Sequence, residues 1–466
     1  MTAPYRSGIV FAVAGMPERE STNGGSASRW RTLRRWLQPG LGVKRWLVAM
    51  VIGTVLFGLG VALLLLTLQQ VSPGSPIIGI LGLAEGRPAL RAVALIVAGV
   101  GLLYLSVFRL NRALLAPYLR SGKAVVDAVA EHRRLGRGPK VVAIGGGTGL
   151  STLLRGMKER TGNLTAIVTV ADDGGSSGRL RRSLGLPPPG DVRSCLAALS
   201  DDEDLLTQLF RYRFGTDSTL EGHSFGNLFI AALAAVTGSF ERGVFEAGRV
   251  LAIRGRVVPS TLENVSLVAD KAHAIDSQAF RIEGESRIPV VPGQVRRVHL
   301  EPNDVPAYPE AIRAILAADM IVIGPGSLYT SLLPNLLVRE LTEAIRASRA
   351  FKVFVCNLAT QPGETDGYDC SGHLRALEEH VGARLVDLML VHQCPNPKAT
   401  DPETAVRVTG NGQDTPMVAE DVADPETPGR HDSEKLAEVL VRLLEERTGP
   451  LDLAAAEPPA VGGRLN

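Results

Sequence analysis

The stretch KVVAIGGGTGLSTLLRGMK, residues 140–158, decides the fold class. Lys140 to Ile144 reads as a short apolar strand, Gly145, Gly146, Gly147, Thr148, Gly149 and Leu150 as a polar turn, and Ser151 as the start of a helix. A strand, a glycine turn and a helix N-terminus are the parts of an anion cradle. Glycines let a phosphate approach the backbone, while N–H groups and the positive end of the helix face it. The pattern is not the dinucleotide fingerprint GxGxxG, because Leu150 stands where the last glycine belongs. On its own the turn reads more readily as a tight structural corner.

The same unit recurs. Leu164 to Val170 leads into ADDGGSSGRLR, residues 171–181; Met320 to Ile323 into GPGSLYTS, residues 324–331; and Val353 to Cys356 into NLATQPGET, residues 357–365. In an open parallel α/β sheet such loops gather beyond the C-terminal strand ends, where ligands of this fold class bind. Their convergence predicts a nucleotide or phosphate site. Helices are predicted over 192–199, 204–214, 223–236 and 244–253, followed by a β-rich stretch, 256–300, packed on the main sheet as an insertion.

Candidate ligand-binding residues are Gly145, Gly146, Gly147, Thr148 and Gly149 in the first loop, and Asp172, Asp173, Gly174, Gly175, Ser176, Ser177 and Arg179 in the second. Gly324, Gly326, Ser327, Asn357 and Arg430 join them. Two adjacent aspartates with glycines, serines and arginines have no packing explanation. Asp173 and Asp191 could hold Mg²⁺ against a diphosphate, since that ion takes one or two protein oxygens and fills its shell with water and phosphate. Asp191 reads equally well as a helix N-cap. His223 and Asn227, four apart, would share one helix face and grip a substrate, or simply cap the helix; no second histidine stands at metal-ligand spacing. Ser176 and Ser177 read as phosphate contacts or turn residues, because no activating base is identifiable. Asp432 or Ser433 is expected to cap a final amphipathic helix, leaving Arg430 to reach an anion.

Trp46 to Leu68 is an uninterrupted apolar run, long enough as a helix to cross a bilayer, and a second run spans Ala92 to Phe108. Arg29, Arg31, Arg34, Arg35, Lys44 and Arg45 precede the first, and Arg109, Arg112, Arg120 and Lys123 follow the second. The positive-inside rule then places both ends of this hairpin, and the large domain, in the cytoplasm. The expected division is a disordered basic segment 1–45, a transmembrane hairpin 46–112, a juxtamembrane helix and linker 113–137, a globular domain 138–448 and a disordered tail 449–466.

With 50 basic and 48 acidic residues in 466, no whole-molecule field points to nucleic acid. The four cysteines, Cys195, Cys356, Cys370 and Cys394, match no zinc or disulfide framework and read as reduced, mostly buried thiols.

These motifs in this order, with PPPGDVRSCLAALS (187–200), GHSFGN (222–227), ADMIVIGPGSLYTSLLPNLLV (318–338) and RHDS (430–433), resemble the YvcK-type gluconeogenesis factor family, within the larger 2-phospho-L-lactate transferase-like superfamily. The resemblance covers residues 140–446. It implies a Rossmann-like three-layer domain, binding of a UDP-activated sugar, and a bacterial role in cell shape and envelope synthesis during gluconeogenic growth. For the transferase branch it implies Mg²⁺-dependent transfer of a phospholactyl group from a nucleotide diphosphate donor, with Asp173 and Asp191 at the acidic positions. Deazaflavin-binding features are not recognisable, so a non-catalytic binding regulator is favoured over an enzyme; a nicotinamide oxidoreductase is the weakest alternative. The membrane hairpin is an addition that places the chain at the inner (cytoplasmic) membrane of a bacterium. Ser433 stands where relatives carry a phosphorylated threonine, which implies a Ser/Thr kinase as partner. Oligomeric state and the identity of the sugar stay open.

Overall fold

The computed structural model describes residues 44–449 except 69–87, 116–124, 201–204, 216–218, 274–277, 383, 394–403, 410–414 and 428. The chain divides into two compact units, residues 1–129 and 130–466. Nearly all of the two terminal segments expected to be disordered, and Cys394, lie outside the described residues.

The first unit is a helical hairpin, α1 (Lys44–Leu68) and α2 (Pro88–Leu115). Each holds a stretch of 22 residues, Arg45–Leu66 and Leu90–Asn111, long and apolar enough to cross a membrane. The second is therefore longer than the apolar run suggests. Small residues recurring every seventh position line the seam: Gly53 and Gly60 on α1, Ala92, Gly99 and Ser106 on α2. A Cβ at Gly99 would stand 2.6 Å from the backbone nitrogen of Phe57, so the helices meet backbone to backbone. Outward faces carry Val51, Val55, Leu65 and Val97 exposed. At one end the guanidiniums of Arg45 and Arg109 lie 5.3 and 5.5 Å from the Trp46 ring centre, a cation–aromatic pairing suited to a membrane–water boundary.

A helix, α3 (Val125–Gly136), runs across the division at residues 129 and 130, and the second unit is built on a sheet of seven parallel strands: β1 (Val141–Gly145), β2 (Leu164–Val168), β3 (Arg256–Pro259), β7 (Met320–Ile323), β8 (Phe351–Val355), β9 (Leu388–His392) and β10 (Met417–Glu420), in the order β10-β9-β8-β7-β1-β2-β3. Alternate residues feed two cores, one per face: Val142 and Ile144 join Ile321, Ile323 and Phe354, whereas Val141 and Ala143 join Met320, Val322 and Val353. Burial on both faces is what a parallel sheet covered by helices requires. The helices are α4 (Gly147–Met157), α5 (Gly175–Leu184), α6 (Gly190–Leu199), α7 (Leu205–Arg211), α8 (Phe225–Thr237), α9 (Phe240–Val250), α10 (Pro309–Leu316), α11 (Leu333–Leu336), α12 (Arg339–Ala347), α13 (Cys370–Val381) and α14 (Ser433–Thr448).

The stretch 256–300 divides between two sheets. Arg256–Pro259 is the edge strand of the main sheet; β4 (Ser266–Ala272), β5 (Ala279–Glu283) and β6 (Gln294–Glu301) form a separate antiparallel sheet ordered β5-β4-β6. Its Leu267, Ala269, Val298 and Leu300 pack into the same core as Ile144. Lys271, wholly buried, anchors it: the ammonium donates to the carbonyls of Ile288, Val291 and Gly363 at 2.7, 2.6 and 2.8 Å, which uses all three of its protons.

Candidate functional site

The strand order reverses direction between β1 and β7, so the loops that follow these two strands are neighbours at their C-terminal ends. Such a switch point opens a crevice by construction. Here a cleft of about 200 Å³ is lined by Gly146, Gly147, Thr148, Gly149 and Thr152, by Pro325, Gly326, Ser327 and Ser331, by residues 357–361, and by Gly429, Arg430 and His431. Loops far apart in sequence thus converge on one space.

The first loop is more helical than its glycines suggest, since α4 begins at Gly147 and not at Ser151. Gly147 has φ +61°, a conformation that costs glycine little. Gly146 is extended, with φ −172°, and is needed for space: a Cβ there would collide with the Asp191 carboxylate. A Cβ at Gly149 would stand 2.5 Å from the carbonyl oxygen of Pro325. Asp191 does not cap its own helix; Pro189 holds that position, and Asp191 in the first turn of α6 accepts the N–H of Gly147. One N–H of the cradle is therefore already used. Those of Thr148 and Gly149 meet no acceptor among the described residues.

Asn357 is bound to the opposite loop, accepting from the Gly326 N–H at 3.2 Å and donating to its carbonyl at 2.9 Å. Gln361 donates to Ser327 Oγ at 2.6 Å. These contacts make Asn357 a clamp between the loops after β7 and β8. Gly324 and Gly326 both have positive φ, +85° and +155°, in the corner that Asn357 holds.

Beside the cleft four carboxylates crowd together. Asp172 accepts from the Gly174 N–H at 2.8 Å, and Asp173 from the Ser286 N–H at 2.9 Å. Oxygens of Asp172, Asp173 and Glu285 all lie within 4.8 Å of one another. Burial, then Asp172, Asp191 and Asp173, push the Glu285 carboxyl up to about 9; burial, then Asp172, push Asp191 up to about 6. Such an arrangement of hard oxygen donors fits a divalent cation, which Asp172, Asp173 and Glu285 would hold. It differs from the pair expected from sequence. Asp191 stands outside the convergent trio, with its carboxylate turned to Gly147.

A third group adjoins the second. Asn227 Nδ2 donates to Ser176 Oγ at 3.1 Å and to Ser177 Oγ at 3.4 Å, and His223 Nδ1 lies 3.0 Å from Ser176 Oγ. Arg179 Nε, which can only donate, lies 3.1 Å from His223 Nε2. The acceptor nitrogen is therefore Nε2, the proton sits on Nδ1, and His223 donates to Ser176. Burial and then the Arg179 charge hold the His223 pKa below its usual value, in keeping with a neutral ring. With Nε2 committed to Arg179, His223 is no base for Ser176, whose own proton points elsewhere. His223 also precedes the helix: Ser224 is the N-cap of α8, so His223 and Asn227 meet at Ser176 without sharing a helix face.

Arg430 is exposed on the cleft wall, and Asp432, not Ser433, caps α14 by accepting the N–H groups of Glu434 and Lys435. Ser433 is the first helical residue, and its carbonyl lies against Gly156 of α4, where any side chain would clash. Gly145 and Gly175 are backbone positions at the end of β1 and the start of α5, and Gly174 is the N-cap residue of α5.

Glu285, Gln361 and Arg155 were not legible as site residues. Burial, then repulsion from Arg211 and Arg430, lowers the Arg155 pKa, which marks a concentration of positive charge beside the glycine loop. Arg155 at least sits one helical turn after Ser151 in the first motif, and that spacing was a usable signal.

The model of the family described as 2-phospho-L-lactate transferase CofD matches residues 141–446. The chain is 44% identical over 322 residues to the gluconeogenesis factor of Bacillus subtilis, covering 67% of this chain and all of that one. It is 52% identical over 255 residues to the gluconeogenesis factor of Halalkalibacterium halodurans, covering 55% of this chain and 78% of that one. A Deinococcus radiodurans relative is 39% identical over 439 residues, 90% of this chain and 91% of its own. A crystal structure of a Bacillus halodurans protein superposes with a TM-score of 0.61 at 45% identity, covering 65% of this chain and 98% of that one. The chain belongs to the CofD family, among its gluconeogenesis factors.

Proposed function

We propose that this protein is a membrane-anchored regulator that binds a nucleotide sugar, a UDP-sugar, in the cleft between the β1 and β7 loops and adjusts cell shape and envelope synthesis during gluconeogenic growth. The observation that carries the reading is the convergence of Thr148 and Gly149 N–H groups, the Asn357-clamped loop and Arg430 on one cleft. Backbone donors at a helix N-terminus together with a guanidinium suit a diphosphate. The gluconeogenesis factor relatives support the metabolic setting, and α1 and α2 support an anchor in the cytoplasmic membrane with the large unit in the cytoplasm. A Ser/Thr kinase acting at Ser433 would place a phosphate beside Arg430, where it competes with the ligand.

Isothermal titration of the full chain in detergent with UDP-sugars tests this. Saturable binding without product formation supports it, and no heat with any of them overturns it. A transferase acting on a nucleotide diphosphate donor is the second reading, favoured by the convergence of Asp172, Asp173 and Glu285. When bound there, Mg²⁺ would neutralise diphosphate charge. The protein's part would be to orient the donor through Thr148, Gly149 and Arg430. Product formation in a mixture that also holds Mg²⁺, a nucleotide diphosphate donor and a hydroxyl acceptor decides for it.

A further inference from the structure

The loop that clamps the cleft begins and ends at a cysteine. Cys356 directly follows β8, Cys370 is the first residue of α13, and the two thiols hydrogen-bond to each other at the base of the 357–369 loop. Both are buried, at 1% and 2% exposure, within one core. Between them the loop makes its contacts to the β7 loop: Asn357 to Gly326, Gln361 to Ser327, Thr330 to Glu364 at 3.1 Å, and Tyr329 to Tyr368 at 2.8 Å. The carbonyl of Cys356 also accepts the ring N–H of His431, the neighbour of Arg430. Movement at Cys356 therefore reaches both walls of the cleft.

We propose that Cys356 and Cys370 form a reversible disulfide on exposure to a peroxide, and that this bond sets the position of the 357–369 loop. The two sulfurs are not equivalent. Cys370 opens α13, and a helix N-terminus favours a thiolate, against the charge of the adjacent Asp369 that caps the helix by accepting the Gly372 N–H. The direct interaction of the two thiols holds the Cys370 thiol below its usual pKa and raises that of Cys356. Cys370 is thus the attacking sulfur and Cys356 the resolving one.

The Cys370 thiolate displaces hydroxide from hydrogen peroxide to give a sulfenic acid; the Cys356 sulfur then attacks it, and water leaves. Two thiols and one peroxide yield one disulfide and two waters. A dithiol reductant reverses the step. Bond formation at about 2.05 Å brings the sulfurs closer than any thiol–thiol hydrogen bond, drawing the end of β8 towards α13 and closing the loop covalently. Cys195 cannot take part, because it lies in the core on the opposite face of the sheet.

The test uses the reduced full chain in detergent, treated with one equivalent of hydrogen peroxide. Peptide mapping is expected to show Cys356 joined to Cys370, released by dithiothreitol, present in Cys195→Ser and absent from Cys370→Ser. Hydrogen exchange across 357–369 is expected to slow on oxidation, roughly tenfold, and to stay at the reduced rate in peroxide-treated Cys370→Ser. Sulfinic acid at Cys370 without linkage, or linkage to another cysteine, overturns the proposal; linkage with unchanged exchange overturns its conformational half. The consequence for ligand, a roughly tenfold weaker dissociation constant for UDP in the oxidised form, rests on the proposed function. If neither UDP nor any UDP-sugar binds the reduced chain, that functional reading falls, while linkage and exchange still decide the disulfide.

Discussion

Asp191 accepts the N–H of Gly147 and fills the space beside Gly146 that a side chain would enter. The first glycine loop is thus shaped from behind by an acid of another helix. Gly146→Val forces the Asp191 carboxylate aside, with an expected loss of about 1–3 kcal/mol of stability together with loss of UDP-sugar binding. Thermal unfolding and titration of the same sample check both; unchanged stability would show that Asp191 moves freely and does not shape the loop.

Burial and neighbouring acids raise the carboxyls of Asp191, from 3.8 to about 6, and Glu285, from 4.5 to about 9. A raised carboxyl means that the folded state holds its proton more tightly than the unfolded one. The stabilisation is complete below the unfolded value and is lost as pH climbs to the folded one. For Asp191 the loss falls between about pH 4 and 6 and amounts to about 3 kcal/mol. Glu285→Gln should therefore melt increasingly above the wild type as pH rises from 4.5 towards 9. A constant difference in melting temperature across that range refutes the assignment.

A cation held by Asp172, Asp173 and Glu285 would relieve the same repulsion. Millimolar Mg²⁺ should raise the melting temperature of the wild type most at alkaline pH and do little for Asp173→Asn. If that variant responds to Mg²⁺ as the wild type does, the trio is not the site. The same variant separates the two functional readings: a metal-free sensor keeps or improves its UDP-sugar affinity, whereas a transferase loses turnover.

Arg430 is exposed and makes no ion pair among the described residues. Arg430→Ala should leave the melting temperature of the empty protein nearly unchanged and weaken UDP-sugar binding roughly tenfold, as for loss of a charge-assisted hydrogen bond. Equal affinity removes Arg430 from the site. Ser433→Glu, placing charge beside it, should mimic part of that loss.

If α1 and α2 span a bilayer as proposed, apolar surface and not charge would hold them there, and the full chain should stay in the membrane pellet after high salt and alkaline carbonate. Release by salt alone refutes the anchor. A chain beginning at Gly138 should be recovered without detergent.

Strands and loops were legible because Val141–Gly145, Leu164–Val168 and Met320–Ile323 are continuous apolar runs that meet polar glycine turns abruptly. The crevice followed from their order. Glu285 was not legible, because what brings it to Asp173 is a hydrogen bond from Ser286 across 113 positions, set by how the small sheet docks. Asp191 reads from sequence as either a metal ligand or an N-cap, and neither reading points to Gly147, because only the packing of α6 against α4 turns the carboxylate there. His223 was assigned to the helix because nothing in GHSFGN says that Ser224, not the histidine, starts it.

The close approach of Ser433 to Gly156 joins α14, the last described helix of the large unit, to α4, the helix that follows β1. Arg430 and His431, which finish the cleft wall, arrive with that last helix. During synthesis the apolar hairpin leaves the ribosome long before residue 433, and domains order themselves as their segments emerge. The protein is therefore expected to be delivered to the bilayer by its early segments while its ligand site is still open on one side. On the proposed function, binding competence waits for residues 430–433 to emerge, and a nascent chain stalled before residue 430 should be anchored yet blind to nucleotide.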